Sequence, residues 1–265
     1  MKIGIFDSGF GGLEILREII KQIPSYHYIY LADTKRAPYG NRSQKIIYKF
    51  TDQAVNFLIK ENCNLIILAC NTASSKALRK IQRVKKIKIL GVLIPATEEA
   101  ERKTKNKRIG IIATKGTVIS RAFERELHKL DKNIKVFQKA CPVLVSKIES
   151  GQKDCKETET YLKRVISPLI SEEIDTLILG CTHYGLLEEK IKEITRNIFI
   201  VSEGKIVAKK LKNYLKRHPE IKLSKNNKLE FLTTGEKNKF ESLGSVFFGK
   251  KIKAKKVNLI EKHKE

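Results

Sequence analysis

Apolar-rich runs of strand length alternate with segments of helical spacing over the first hundred residues. KIGIFD (2–7), YIYLAD (28–33), NLIILA (64–69) and IKILGV (87–92) are the runs. Between them, GLEILREIIKQI (12–23) places Leu and Ile at helical intervals, and helices are predicted around 43–61, 73–84 and 96–106. Strands that are apolar on both faces, separated by helices, belong to a parallel sheet covered on both sides. The predicted fold class is α/β.

The pattern then restarts. KIGIFDSG (2–9) aligns with RIGIIATKG (108–116), and NLIILACNT (64–72) with DTLILGCTH (175–183), at offsets of 106 and 111 residues. Two matches at nearly equal offset predict two copies of one α/β unit, hence two pseudo-symmetric domains facing each other across a cleft. Residues 206–265 add a helix (IVAKKLKNYLKRH), a strand (LEFLTTG), a helix over 237–248 and a last strand (AKKVNLI). That is too little chain for a sizeable core of its own. The predicted domains are 1–95 plus 207–265, and 96–206.

In parallel sheets, ligands bind beyond the carboxyl ends of the strands. Cys70 and Cys181 occupy that position in the two copies. Facing units deliver the two sulfurs to opposite sides of one ligand. Both cysteines precede predicted helix starts, which lower a thiol pKa and bring thiol and thiolate within reach near neutral pH. A thiolate that takes a proton from carbon, opposite a thiol that returns one, inverts a stereocentre. Three other readings use the same atoms. Cysteine also serves as a small buried hydrophobe, the reading for Cys63, Cys141 and Cys155. A zinc site on Cys70, Cys181 and His183 lacks CxxC or HExxH spacing. A Cys181–His183 nucleophile leaves Cys70 without a role.

The loop FDSGFGG (6–12) fails as a dinucleotide fingerprint because Glu14 stands at the third glycine position. Its backbone N–H groups suit a carboxylate, while Asp7 fits either an ammonium partner or an Asx turn. APYG (37–40) is a second loop able to approach a ligand, and CPVLVSKIESG (141–151) sets Glu149 near a loop end.

The net charge of +25 is carried mostly by Lys, spread through KKIK, KTKNKR and KKLKNYLKRH. A nucleic-acid partner is one reading of that charge, and tight salt-resistant binding would support it. No RNP, zinc-finger or recognition-helix pattern accompanies it, so a solvated surface that steers an anionic substrate is the favoured one. No stretch offers 18 uncharged apolar residues, so no membrane span is expected. Five cysteines without a CxxC pair, and Met1 leading straight into a strand, predict a reduced cytoplasmic protein rather than a secreted one.

FDSGFGG, ADTKRAPYG, ACNTAS, GVLIPA, ATKGT and LGCTHYGLL together resemble the glutamate racemases, from residue 3 to about 260. Aspartate racemases share the two-cysteine design, but typically carry Thr-Glu where this chain has Thr182-His183. The resemblance implies two α/β domains and cofactor-independent interconversion of L- and D-glutamate for peptidoglycan, with no metal. It admits a homodimer. Cys181 is then the acid–base group for L-glutamate and Cys70 that for D-glutamate. Asp7 and His183 assist, with Asp33 and Glu149 as supporting acids. Substrate contacts fall on Asp7, Ser8, Tyr39, Gly40, Asn71, Thr72, Thr182 and His183, with Thr114 and Thr117 as further candidates. Two departures stand out: Gly185 where the family commonly has Pro, and Ser202 where it usually has Asp.

Overall fold

The computed structural model describes residues 1–259. Residues 260–265, with the end of the predicted strand AKKVNLI and of the predicted first domain, lie outside the described residues. The first stretch of chain forms β1 (Lys2–Asp7), α1 (Gly12–Gln22), β2 (Tyr28–Ala32), α2 (Gln44–Lys60), β3 (Cys63–Leu68), α3 (Asn71–Lys76), α4 (Leu78–Val84), β4 (Lys88–Gly91) and α5 (Leu93–Lys103). A second stretch forms β5 (Arg108–Ala113), α6 (Lys115–Ser120), α7 (Ala122–Leu130), β6 (Lys135–Ala140), α8 (Leu144–Glu149), α9 (Lys156–Ile170), β7 (Thr176–Gly180), α10 (Glu188–Thr195) and β8 (Phe199–Val201). The chain closes with α11 (Glu203–Arg217), β9 (Leu229–Thr233), α12 (Lys237–Phe248) and β10 (Ala254–Lys256).

There are two parallel sheets, ordered β10-β9-β2-β1-β3-β4 and β6-β5-β7-β8. Within the first, β2-β1-β3-β4 repeats the connectivity of the entire second sheet. The register repeats as well: the offsets read from the sequence carry the pair Gly4↔Ile66 onto the pair Gly110↔Leu177. The C-terminal strands β9 and β10 extend the first sheet beyond β2. Duplication is therefore visible in topology and in pairing.

The core follows the period of each element. Leu13, Leu16 and Ile19 bury one stripe of α1, while Ile3, Ile5, Tyr28, Tyr30, Leu65 and Ile67 come from the strands beneath it. Full burial of one such side chain is worth about 1.5–3 kcal/mol. The predicted helix over 73–84 differs in the structure: it begins at Asn71 and breaks at Ala77 into α3 and α4. The break turns Leu78 against Gly91, at a spot where any Cβ on residue 91 would overlap it. After β8 the chain returns to the first lobe through α11, which packs on α1 and α5.

Candidate active site

The two thiols meet in one place. Cys181 directly follows β7, and Cys70 follows β3 by two residues, so equivalent strand ends deliver them. Both line a cavity of about 30 Å³, with Ser8, Tyr39, Gly40, Asn71, Thr72, Thr114, Glu149, Thr182 and His183 also in its wall. Such a volume holds on the order of one or two waters. It shares Ala37, Pro38, Gly40, Thr114, Val145 and Glu149 with an adjoining hollow of about 470 Å³, whose wall adds Lys35, Lys115 and Lys239.

The loop after β1 brings the lobes close. A side chain on Gly11 would overlap Thr182, so only glycine lets this turn reach the second lobe's thiol loop. Across the cleft, Thr72 Oγ1 lies 3.0 Å from Thr114 Oγ1 and 3.4 Å from Thr117 Oγ1, and Gly116 N–H donates to the Gly40 carbonyl at 2.8 Å. Ser8 Oγ lies 3.3 Å from Cys70 Sγ. His183 Nε2 lies 2.9 Å from Glu149 Oε1, and its ring meets Phe247 edge-on. Asn71 Nδ2 donates to Glu203 Oε2 at 2.9 Å.

Asp7 is fully buried under this wall. Its Oδ2 accepts from Gly9 N–H at 2.9 Å, closing the Asx turn, while Oδ1 has no partner. Burial raises its pKa, against the attraction of His183 and the N–H groups of Gly9 and Gly12. Asp33 does not line the cavity. It is buried behind Tyr39, whose hydroxyl donates to Asp33 Oδ2, and is also held by Arg36 Nε at 2.6 Å and Thr234 Oγ1 at 2.8 Å. Its influence on the cavity passes through Tyr39.

The expected lowering of the thiol pKa values is corrected by the structure. Burial pushes Cys70 up to about 11 and Asp7 adds to it, against hydrogen bonds from Ser8 and the Ala73 and Ser8 backbone. Burial likewise raises Cys181 well above the usual thiol value, against the His183 N–H, with Cys70, Asp7 and Glu203 adding to the rise. The reason is local. The helix after Cys70 has six residues and a 3-10 turn (Tyr184–Leu187) follows Cys181, so the dipoles are short. No Lys or Arg lines the cavity among the described residues. Also among the described residues, no group of three or more His, Cys, Asp and Glu side chains is placed to hold a metal ion.

Sequence reasoning missed Glu203, because a glutamate opening an amphipathic helix reads as an ordinary first-turn carboxylate. It missed Val145 for lack of any chemical signature. Gly185 has a neighbour that explains it: a side chain there would overlap the Glu14 carboxyl, which stands where the glycine fingerprint failed.

Residues 3–210 match the profile of the Asp/Glu/Hydantoin racemase family. The chain is 39% identical over 259 residues to the glutamate racemase of Persephonella marina, covering 98% of each. It superimposes on a glutamate racemase isoform from Bacillus anthracis with a TM-score of 0.92, at 36% identity over 97% of each chain. The glutamate racemase of Francisella tularensis, solved in complex with D-glutamate, gives a TM-score of 0.91 at 33% identity over the same share. No helix among the described residues is long and apolar enough to cross a membrane. The duplicated sheets, the paired thiols and a profile match across most of the sequence converge: the chain belongs to the Asp/Glu/hydantoin racemase family.

Proposed function

We propose that the chain interconverts L- and D-glutamate by two-thiol proton exchange, without cofactor or metal, and so supplies D-glutamate for peptidoglycan. The observation that carries this reading is the delivery of Cys70 and Cys181 to one cavity from equivalent ends of two duplicated sheets. One thiolate removes the α-proton and the opposite thiol protonates the other face. The reverse reaction exchanges their roles. A Cys181–His183 nucleophile, by contrast, gives Cys70 no task.

The raised thiol pKa values fit this chemistry. A thiolate formed in a dry site is a stronger base toward carbon than one in water. Asp7 beside Cys70, and the His183–Glu149 pair beside Cys181, are the groups that accept the thiol protons. Charge building at the α-carbon is met by donors from Thr72, Thr182 and the loop N–H groups around the substrate carboxylates. Tyr39 and Gly40 face the distal carboxylate, and the lysines of the adjoining hollow favour an anionic dicarboxylate ligand.

The test uses purified protein treated with chelator and free of pyridoxal phosphate, given L-glutamate in heavy water. D-glutamate should form with solvent deuterium at the α-carbon. Folded protein that forms none overturns the proposal.

A further inference from the structure

Glu203 opens α11, at the point where the chain leaves β8 and returns to pack on α1. It is buried, and no Lys or Arg forms an ion pair with it among the described residues. Its Oε2 accepts from Asn71 Nδ2 at 2.9 Å, and its Oε1 has no partner. Burial pushes its pKa well above the carboxylate range, opposed by the Asn71 bond and reinforced by Glu14 and Asp7. Its carboxyl is fixed against Asn71, a residue of the cavity wall. At the other end of that carboxamide, Asn71 Oδ1 is buried without a partner. A carboxamide carries two donors on one atom and an acceptor on the other, so whatever holds one end decides which end remains.

We propose that Glu203 is a positioning residue: by holding Asn71 Nδ2, it leaves Asn71 Oδ1 as the acceptor for the substrate's α-ammonium. The assignment rests on the proposed racemization at this site. Without Glu203 the amide is free to turn its NH₂ toward the cavity, where it repels an ammonium and attracts a carboxylate. With Glu203 the sense is set before substrate arrives, and a costly unpaired acceptor is satisfied on binding. The contact is made equally in ground and transition states, so its loss falls on KM rather than kcat.

The experiment pairs racemization kinetics with competitive inhibition by glutarate, which keeps both carboxylates and lacks the ammonium. Glu203→Leu should raise KM for glutamate about tenfold or more, hold kcat within about threefold and leave glutarate inhibition within about twofold. Glu203→Gln keeps the shape of the side chain and a carbonyl acceptor for Asn71 Nδ2, so it should bring KM back to within about threefold of the native value. Equal weakening of glutamate and glutarate, or an unchanged KM in Glu203→Leu, overturns the assignment. So does a Glu203→Gln KM as high as that of Glu203→Leu. Should circular dichroism show that Glu203→Leu does not fold, Glu203→Gln decides alone: about threefold or less in KM supports the role, and about tenfold (1.4 kcal/mol) overturns it. Native protein that does not racemize glutamate overturns the proposed function and this role with it. Normal native turnover beside any of the contrary variant results overturns the role alone.

Discussion

His183 Nε2 lies 2.9 Å from Glu149 Oε1, so the imidazole two residues past Cys181 is held by a carboxylate 34 positions earlier in the chain. The pair is built by the second lobe alone: α8 ends at Glu149, and the turn after β7 carries His183. A carboxylate behind an imidazole fixes its orientation and stabilises the imidazolium. Glu149→Gln keeps a hydrogen bond but removes the charge. Its kcat/KM should fall about 10- to 100-fold. The fall must be equal in both directions, because enantiomers have equal free energies in water. Steady-state kinetics from each enantiomer check this, and native values would remove the pair from proton transfer.

Cys70→Ser and Cys181→Ser should each reduce racemization by at least on the order of 10²-fold, since each removes the acid–base group on one face. Cys155 is exposed and lines neither the cavity nor the adjoining hollow. Cys155→Ser should therefore keep the native rate and serves as the control. Chiral chromatography of the product measures all three, and native turnover by either site variant would contradict the two-thiol scheme.

Burial pushes Glu14 up to about 7, opposed by Arg17. The unfolded chain ionises this group near its ordinary value of 4.5, while the folded chain still holds the proton. Stability linked to Glu14 is thus fully present below the ordinary value and is lost as pH rises toward about 7, at most about 3 kcal/mol. Glu14→Gln should raise Tm at pH 8 relative to native protein, and do so less at pH 5. Thermal unfolding at the two pH values checks the sign, and an equal effect at both would refute it.

The same carboxyl fills the space beside Gly185. Gly185→Ala should cost about 1–3 kcal/mol of stability through overpacking. Adding Glu14→Ala should recover most of that loss, because the clash and the vacated space cancel. A double-mutant cycle on unfolding free energy measures the coupling, and additive effects would show that the two positions ignore each other.

Strand-and-helix alternation made the first sheet legible, because its central strands are buried on both faces and read as apolar runs. The offsets between repeats were legible down to residue pairing. The stretch from 115 to 174 was far less so. β6 is a half-buried edge strand, KVFQKA, in which Lys and Gln interrupt the apolar signal. α8 is one short helix whose chemical worth lies only in aiming Glu149 at a distant imidazole. Position after a strand end picked out both cysteines. Their pKa direction was not legible, since burial outweighs short helix dipoles and burial depends on the second lobe closing over the first. Glu203 was hidden for a similar reason: its contact with Asn71, and the role proposed for it, depend on where α11 docks.

The Thr72–Thr114 hydroxyl contact and the Gly116-to-Gly40 backbone bond join loops from opposite lobes over a chamber with room for little more than a water. A chamber of about 30 Å³ is smaller than an amino acid, so binding glutamate under the proposed function requires these loops to move apart.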